Sequence, residues 1–305
     1  MITPRQAWEL IWLGRHLERA DFGLRVLGGL AAAAQTADPA ALASIQAATL
    51  KAACPSSDDR PLALAGAEDL ADHLLMSPVN RASVRACVAL ARTNARECRA
   101  LVTDEVWEAL NSAHLQAAVY GPGGGPAALR AHIDEVRGLL FAVRGAIAAT
   151  QPLDDALACL TLGEALERAD GVARLMLAYA GTRDGDAPEA VLADILLIQA
   201  GAQRRGPVGL QDALQRLTDS PTDPAALETS ARRIRSGLEQ LGLPVRLAFD
   251  PQTASAASTQ AAIADLHGAL MAALPPLGPP PQDSASLSAV PAGRGPHPDT
   301  PLAVE

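Results

Sequence analysis

The chain has 305 residues, of which 49% are hydrophobic and only 3% aromatic, so it is long enough for one large domain or two smaller ones. The formal net charge is −9, and no long run of basic residues is present, which excludes a typical duplex-binding surface; no nucleic-acid partner is expected. Alanine and leucine, both strong helix formers, supply most of the hydrophobic residues, and strand-like runs of β-branched residues are nearly absent. The composition predicts an all-α fold.

The first half of the chain is predicted to be a series of helices that begin at capping signals. Thr3 is a suitable N-cap, Pro4 fits the first helical position, and Gln6 completes a capping box. Asp38 followed by Pro39 repeats the cap-and-proline signal. The helices expected in this half cover about residues 4–34, 39–50, 63–76, 83–101 and 103–120.

A glycine- and proline-rich segment at residues 121–126 separates the two halves of the chain. It follows no predicted strand and lacks the Lys-Ser/Thr ending of a phosphate-binding loop, so we interpret it as a linker. The helices expected after it cover about residues 127–149, 153–180, 188–203, 207–218 and 223–242.

The predicted organisation is one helical domain at residues 1–250, with halves at 1–120 and 127–250. A weaker helical pattern covers residues 251–274, strongest at about 258–273. Residues 275–305 are rich in proline, glycine and serine and show no periodicity, which predicts a disordered tail.

The cysteine pattern and the N-terminal sequence favour a reducing compartment. The four cysteines lie far apart without a CxxC pair, which favours free structural thiols over disulfides or a zinc site. No signal-peptide pattern is evident, and no apolar run reaches the roughly 20 residues that cross a bilayer. We therefore expect a cytoplasmic protein with no membrane partner, metal or other cofactor. The cysteines are Cys54, Cys87, Cys98 and Cys159.

The most informative feature is an internal repeat. Residues 13–21, Leu-Gly-Arg-His-Leu-Glu-Arg-Ala-Asp, realign with residues 162–170, Leu-Gly-Glu-Ala-Leu-Glu-Arg-Ala-Asp. The same offset of 149 residues pairs Arg25 with Arg174. A repeat of this kind predicts two similar halves packed around a pseudo-two-fold axis.

The first copy of the repeat lies on a helix that is apolar on two nearly opposite sides. Such a helix is expected to be central in the fold, so its charged side chains are expected to be partly buried. Buried charges are costly unless they are paired. The spacing predicts that Arg15 pairs with Glu18 at i,i+3 and that Asp21 pairs with Arg25 at i,i+4.

The second copy departs from this pattern at one position. Asp170 and Arg174 keep the second pairing, but Glu164 stands where the first copy has an arginine. Neighbouring carboxylates on this helix would repel each other unless a positive charge lies between them. We expect Arg19 or Arg25 of the other half to supply that charge.

The segment at residues 12–21 resembles the first Glu-Arg motif of the alpha-E domain family of bacterial helical proteins. The similarity continues at residues 83–85, 91–96 and 104–111 and returns at the second Glu-Arg motif, so it covers roughly residues 4–245. Glu164 differs from the arginine usual in the second motif of the family. The resemblance implies an all-helical protein encoded beside a circularly permuted ATP-grasp ligase and a transglutaminase-like protease. It also implies a part in peptide or amide-bond synthesis or modification.

Three interpretations of the charged repeat remain open. The charges could form an internal salt-bridge network, or they could line a cleft in which arginines hold an anionic or peptidyl ligand and Glu18 and Glu167 act as acid or base. A metal site has less support, because the helical di-metal motif has histidine where this chain has aspartate. The ligand-binding candidates are Arg15, Glu18, Arg19, Asp21, Arg25, Glu167, Arg168, Asp170 and Arg174.

Two functional hypotheses follow. The first is a helical auxiliary or scaffold protein that works with an ATP-grasp-type ligase and with a transglutaminase-like protein. The alternative is an enzyme in its own right, with the catalytic carboxylates Glu18 and Glu167 in a central cleft. The alternative requires both carboxylates to be accessible from solvent, whereas the first hypothesis does not.

Overall fold

A computed structural model describes residues 2–54, 67–119, 125–182, 187–204, 206–249 and 255–273. These residues form eleven α-helices and one 3-10 turn without any strand, so the predicted all-α class is confirmed. None of the helices in this part of the chain is long and apolar enough to cross a membrane. The helices are α1 (Pro4–Thr36), α2 (Pro39–Ala53), α3 (Ala67–Leu75), α4 (Val84–Glu97), α5 (Asp104–Ala117), α6 (Gly125–Thr150), α7 (Asp155–Ala180), α8 (Glu189–Ala200), α9 (Leu210–Asp219), α10 (Leu227–Gln240) and α11 (Ala256–Ala273).

The capping signals of the first two helices act as predicted. Thr3 and Gln6 form a capping box at the start of α1, and the Asp38 carboxylate accepts hydrogen bonds from two backbone N–H groups at the start of α2. The segment at 83–101 was expected to be one helix. Instead, α4 ends at Glu97, and the 3-10 turn Arg99–Leu101 follows it. The predicted start at Asp223 is also wrong, because its carboxylate accepts from the N–H of Ala225 in a turn that precedes α10.

Some predicted segments lie outside the described residues. These include the start of the third helix at 63–66, residues 121–124 of the linker, and the tail at 275–305. The last two linker positions belong to α6. The domain boundary at residue 250 stays a prediction, although α11 packs against α7 and buries Ile263, Leu266 and Leu270 in the main core.

The helices repeat their packing in chain order, as the internal repeat predicts. The central pair is α1 and α7, and α4 packs on α1 as α10 packs on α7. The second helix of each half crosses over, because α2 packs on α7 and α8 packs on α1. The helix α6 connects the halves and packs on α5 and α1. This crossed packing brings both copies of the repeat to the middle of the fold.

A pair of glycines lets α1 and α7 approach each other closely. A Cβ atom at Gly14 would lie 2.1 Å from the carbonyl oxygen of Leu160, and one at Gly163 would lie 2.0 Å from that of Ile11. These contacts are reciprocal under the 149-residue offset. Further along the pair, Gly171 lies against the Phe22 ring. The two helices therefore run side by side in the same direction, with the repeated motifs at the same level.

Candidate functional site

The nine predicted site residues all lie on the α1–α7 pair, but they form two separate groups, one on each side of it. We call these groups flank A and flank B. No ion pair between described residues joins the two flanks. Flank A contains Arg15, Arg19, Glu167, Asp170 and Arg174, and flank B contains Glu18, Asp21, Arg25, Glu164 and Arg168 together with Arg137 and Arg144 of α6.

Flank A is centred on Glu167, whose residue surface is 2% exposed. Its Oε2 accepts from Nε of Arg15 at 2.9 Å, and Arg19 donates from Nε and Nη2 to both carboxylate oxygens at 2.6 and 2.8 Å. Arg174 lies 3.8 Å from Oε1 and pairs more closely with Asp170, at 3.0 Å. Arg15 therefore contacts a carboxylate of the other half, and its predicted pairing with Glu18 is wrong.

Flank B is centred on Glu18, which is 1% exposed. Its Oε1 accepts from Nη2 of Arg25 at 2.9 Å, and its Oε2 accepts from Nη2 of Arg144 at 2.6 Å and from Nη2 of Arg168 at 2.8 Å. Each central glutamate thus has three arginines around it. At least one of the three comes from a helix other than the one that carries the glutamate.

Arg144 is the residue that the sequence analysis missed. Its three guanidinium nitrogens contact three carboxylates, those of Glu18, Asp21 and Glu164. Neither Arg19 nor Arg25 contacts Glu164, so the predicted source of its positive charge is wrong. Arg137, seven residues earlier on the same face of α6, lies 3.4 Å from Asp21. This seven-residue spacing, next to buried positions of an apolar helix face, is the sequence signal that could have found both arginines.

The second predicted pairing of each copy is present. Arg25 donates a short hydrogen bond to Asp21, and Arg174 contacts Asp170, both at i,i+4. Arg25 also donates from Nε to the backbone carbonyl of Gln199 at 3.2 Å. Each of its three guanidinium nitrogens therefore has a partner inside the protein.

The arginines fix the protonation of two buried carboxylates. Burial alone would raise the pKa of Asp21, but Arg25 and Arg144 outweigh it and hold this pKa well below its ordinary range. Burial likewise opposes ionisation of Glu167, and Arg19 and Arg15 lower its pKa far below the ordinary value. Both groups are ionised at neutral pH and accept hydrogen bonds from arginines, and their low pKa values make neither suited to accept a proton from a substrate.

The solvent requirement of the enzyme hypothesis is not met. Glu18 and Glu167 are both buried, and each accepts hydrogen bonds from arginines at both oxygens. A general acid or base must reach the reacting atom within hydrogen-bond distance. The assignment of Glu18 and Glu167 as catalytic candidates in a central cleft stays a prediction, and their burial does not favour it.

The cysteines do not supply a nucleophile in the described residues. None of the four forms a disulfide in the described part of the chain, and all four are buried. Burial raises the pKa of Cys87, Cys98 and Cys159 to about 12, so these thiols are protonated at neutral pH. Likewise, no group of three or more His, Cys, Asp or Glu side chains in the described ranges is placed to hold a metal ion.

His16 lies beside flank A and is 7% exposed. Its ring packs on Trp12 with the centroids 5.1 Å apart. Burial, and then the positive charge of Arg19, lower the pKa of His16 to about 3, so its imidazole is neutral. Its Nδ1 is buried and has no hydrogen-bond partner within the described residues.

We expect His16 to make the folded state less stable as the pH falls. An unfolded histidine takes up a proton near pH 6.5, about the ordinary value, whereas folded His16 does so only at about 3. Between these values the unfolded state binds more protons, so the free energy of unfolding rises with pH, by at most about 1.4 kcal/mol per unit for this group. Urea unfolding of the wild type and of His16→Leu between about pH 5 and 6 measures the difference in slope. Equal slopes would show that His16 does not titrate in this way.

The two Glu-Arg motifs of the chain, Glu18-Arg19 and Glu167-Arg168, bind each other. Arg19 donates to Glu167, and Arg168 donates to Glu18, so each pair supplies an arginine to the glutamate of the other. A family model for Alpha-E, described as a predicted alpha-helical domain with a conserved ER motif, matches residues 2–275. The chain belongs to the Alpha-E family. In this Alpha-E protein the match includes α11, beyond residue 245, where the resemblance was expected to end. No curated protein and no solved structure matches the chain.

Glu164 is the position at which this Alpha-E protein departs from the expected second motif. The structure compensates for the arginine that is missing there. In flank A the third arginine around the central glutamate is Arg15, which comes from the motif itself. In flank B the corresponding motif position is Glu164, and Arg144 of α6 takes the place of the missing arginine. Both flanks therefore keep three arginines around one glutamate.

Proposed function

We propose that this Alpha-E protein is a non-catalytic helical scaffold that works in a complex with an ATP-grasp-type ligase, in peptide or amide-bond synthesis or modification. The observation that carries the proposal is the internal use of both Glu-Arg motifs. The charged residues that would have to serve as a catalytic centre instead connect the two halves of the protein. The ligase itself is proposed from the family resemblance.

The internal network favours a scaffold because it joins the halves at their centre. Buried ion pairs add little net stability relative to apolar packing, but losing one partner is strongly destabilising. The network therefore favours one arrangement of α1 and α7 over others. A preorganised surface binds a partner without the cost of ordering itself, which suits a protein whose role is to position another.

The buried thiols and the neutral, buried His16 add support for a non-catalytic role. Neither type of group is presented to a substrate in a reactive state. A transglutaminase-like protein is a second proposed partner, again from the resemblance. In this account the ligase carries the nucleotide chemistry, and the Alpha-E protein holds the ligase, its substrate or its product in place.

Affinity purification of the tagged protein from its native host, read by mass spectrometry, tests the proposal. We expect recovery of an ATP-dependent ligase in a stoichiometric complex, and no ATP turnover by the Alpha-E protein alone. Recovery of the protein without a ligase, or turnover by the isolated protein, would contradict the proposal.

Two glycine variants serve as matched controls for the purification. Gly145 lies on α6, and a Cβ atom there meets nothing within 4 Å, so Gly145→Ala should keep the ligase. In Gly163→Ala the new Cβ collides with the backbone of α1, so a ligase that recognises the native arrangement should be lost. A protein that is recovered equally with both variants is carried over non-specifically.

A further inference from the structure

We propose that flank A binds a small oxyanion, the carboxylate or phosphate group of a ligand, at Arg15, Arg19 and His16. This inference does not rest on the scaffold proposal. It rests on the charge balance of flank A, on the arginine nitrogens that its carboxylates leave free, and on the buried imidazole beside them.

The charge balance of flank A favours an anion. Its three arginines face two carboxylates, and the ion pair that Asp170 forms within the described residues is with Arg174. Arg15 and Arg19 therefore share the single carboxylate of Glu167. One positive charge remains uncompensated among the described residues of this flank, and it lies at these two guanidinium groups.

Both guanidinium groups have nitrogen donors left for a ligand. Nη2 of Arg15 and Nη1 of Arg19 have no hydrogen-bond partner within the described ranges. The side chains are 10% and 23% exposed, respectively, so solvent reaches part of each. Arginine donors in this state are well suited to a carboxylate or phosphate oxygen.

His16 provides the second, independent observation. Its side chain is more than nine-tenths buried and its Nδ1 lacks a partner, which is unfavourable unless a water molecule or a ligand satisfies it. Arg19, Glu167 and Arg15 all lie close enough to shift its pKa. The corresponding residue of the second copy is Ala165, so packing of the repeated helix does not require an imidazole.

Aromatic side chains hold the guanidinium groups in place. The Arg15 guanidinium lies 4.7 Å from the centre of the Trp12 ring, and that of Arg19 lies 5.9 Å from it. His267 of α11 accepts a hydrogen bond at Nδ1 from Nη1 of Arg15 at 2.9 Å and packs beside Trp8. The neutral His267 therefore orients Arg15 without compensating its charge.

Flank B carries the same excess of one positive charge, with four arginines and three carboxylates, but it lacks the same arrangement. The position that corresponds to Arg15 is Glu164, whose side chain is 24% exposed. An oxyanion at that position would be repelled by this carboxylate, and Arg144 already uses its three nitrogens on carboxylates. The pseudo-symmetry thus gives an internal control, because one flank should bind an oxyanion and its counterpart should not.

A tryptophan fluorescence titration tests the proposal, since Trp8 and Trp12 lie at the site. The probes are inorganic phosphate and a short peptide with a free C-terminal carboxylate, with the amidated peptide as its control, all at constant ionic strength. We expect a saturable change in the millimolar range with phosphate, with the free peptide, or with both. Phosphate alone would identify a phosphate ligand, and the free but not the amidated peptide would identify a carboxylate ligand.

Three variants assign the response to flank A. Arg19→Gln and His16→Leu should each weaken binding roughly tenfold, since each removes a donor to the anion. Arg130→Gln, which removes an exposed arginine that pairs with Asp134 on the surface of α6, should leave binding unchanged. His16→Leu keeps every ion pair, so it remains informative if Arg19→Gln does not fold. The absence of a saturable response to any probe would overturn the proposal, as would equal weakening in Arg130→Gln.

Discussion

Glu167→Gln is expected to lower the free energy of unfolding by about 3–5 kcal/mol. The substitution keeps the shape of the side chain but removes the charge that Arg15 and Arg19 share at 2.6–2.9 Å. These arginines would then be left in the interior with too few carboxylates, which is the costly way to break a buried ion pair. Urea unfolding followed by circular dichroism measures the change.

An exposed glutamate provides the control for this substitution. The Glu97 side chain is 39% exposed, and its ion pairs among the described residues are with Arg5 and Arg96 at the surface. Glu97→Gln should change the free energy of unfolding by less than about 1 kcal/mol. If Glu167→Gln is as mild as Glu97→Gln, the buried network does not hold the halves together.

Gly163→Ala is expected to be destabilising by about 3 kcal/mol, although alanine is normally the better helix former. The added Cβ would lie 2.0 Å from the carbonyl oxygen of Ile11 and 3.1 Å from the backbone nitrogen of Arg15. Backbone atoms cannot rotate away as a side chain can. The helix pair must therefore separate, and separation also lengthens the ion pairs of both flanks. Thermal or urea unfolding measures the loss.

Gly145→Ala is the matched control, because it makes the same substitution in another helix interior. No atom lies within 4 Å of a Cβ at this position. The change should stabilise the protein by about 0.5–1 kcal/mol through the lower entropy of the unfolded chain. A stabilising effect at both glycines would contradict the close approach of α1 and α7.

The helices were predictable from sequence because their signals are local. Thr3, Asp38 and the alanine- and leucine-rich periodicity mark helix starts and bodies without reference to the rest of the fold. The predicted helix boundaries were wrong where a local capping signal stabilises a different structure. Asp223, for example, stabilises a turn with the same carboxylate that could have capped a helix.

The repeat predicted which charged residues lie at the centre of the fold, but not how they would pair. A spacing of three or four residues suggests a partner on the same helix, which succeeded for Asp21 with Arg25 and failed for Arg15. Arg15 has a better partner in Glu167, which is brought within reach because the glycines allow the two helices to pack closely. Partners supplied by another helix, such as Arg144, carry no signal in the motif itself.

Burial of Glu18 and Glu167 is the observation that disfavours the catalytic hypothesis. Burial depends on the whole fold. The sequence places Glu18 on a helix with two apolar sides, which is consistent with either a cleft or a sealed centre. The crossed packing of α2 on α7 and of α8 on α1 encloses that centre. This crossover is a property of topology, and no pattern within one helix reveals it.

A double-mutant cycle between Arg19 and Glu167, measured by equilibrium unfolding, tests most directly whether the Glu-Arg motifs join the two halves. Arg19 and Glu167 are far apart in sequence but share hydrogen bonds across α1 and α7, so their coupling energy should be about 1–3 kcal/mol. The parallel cycle with Glu18, the neighbour of Arg19 in sequence but a member of flank B, should give coupling within about 0.5 kcal/mol of zero. A strong coupling to Glu18, with none to Glu167, would contradict the account.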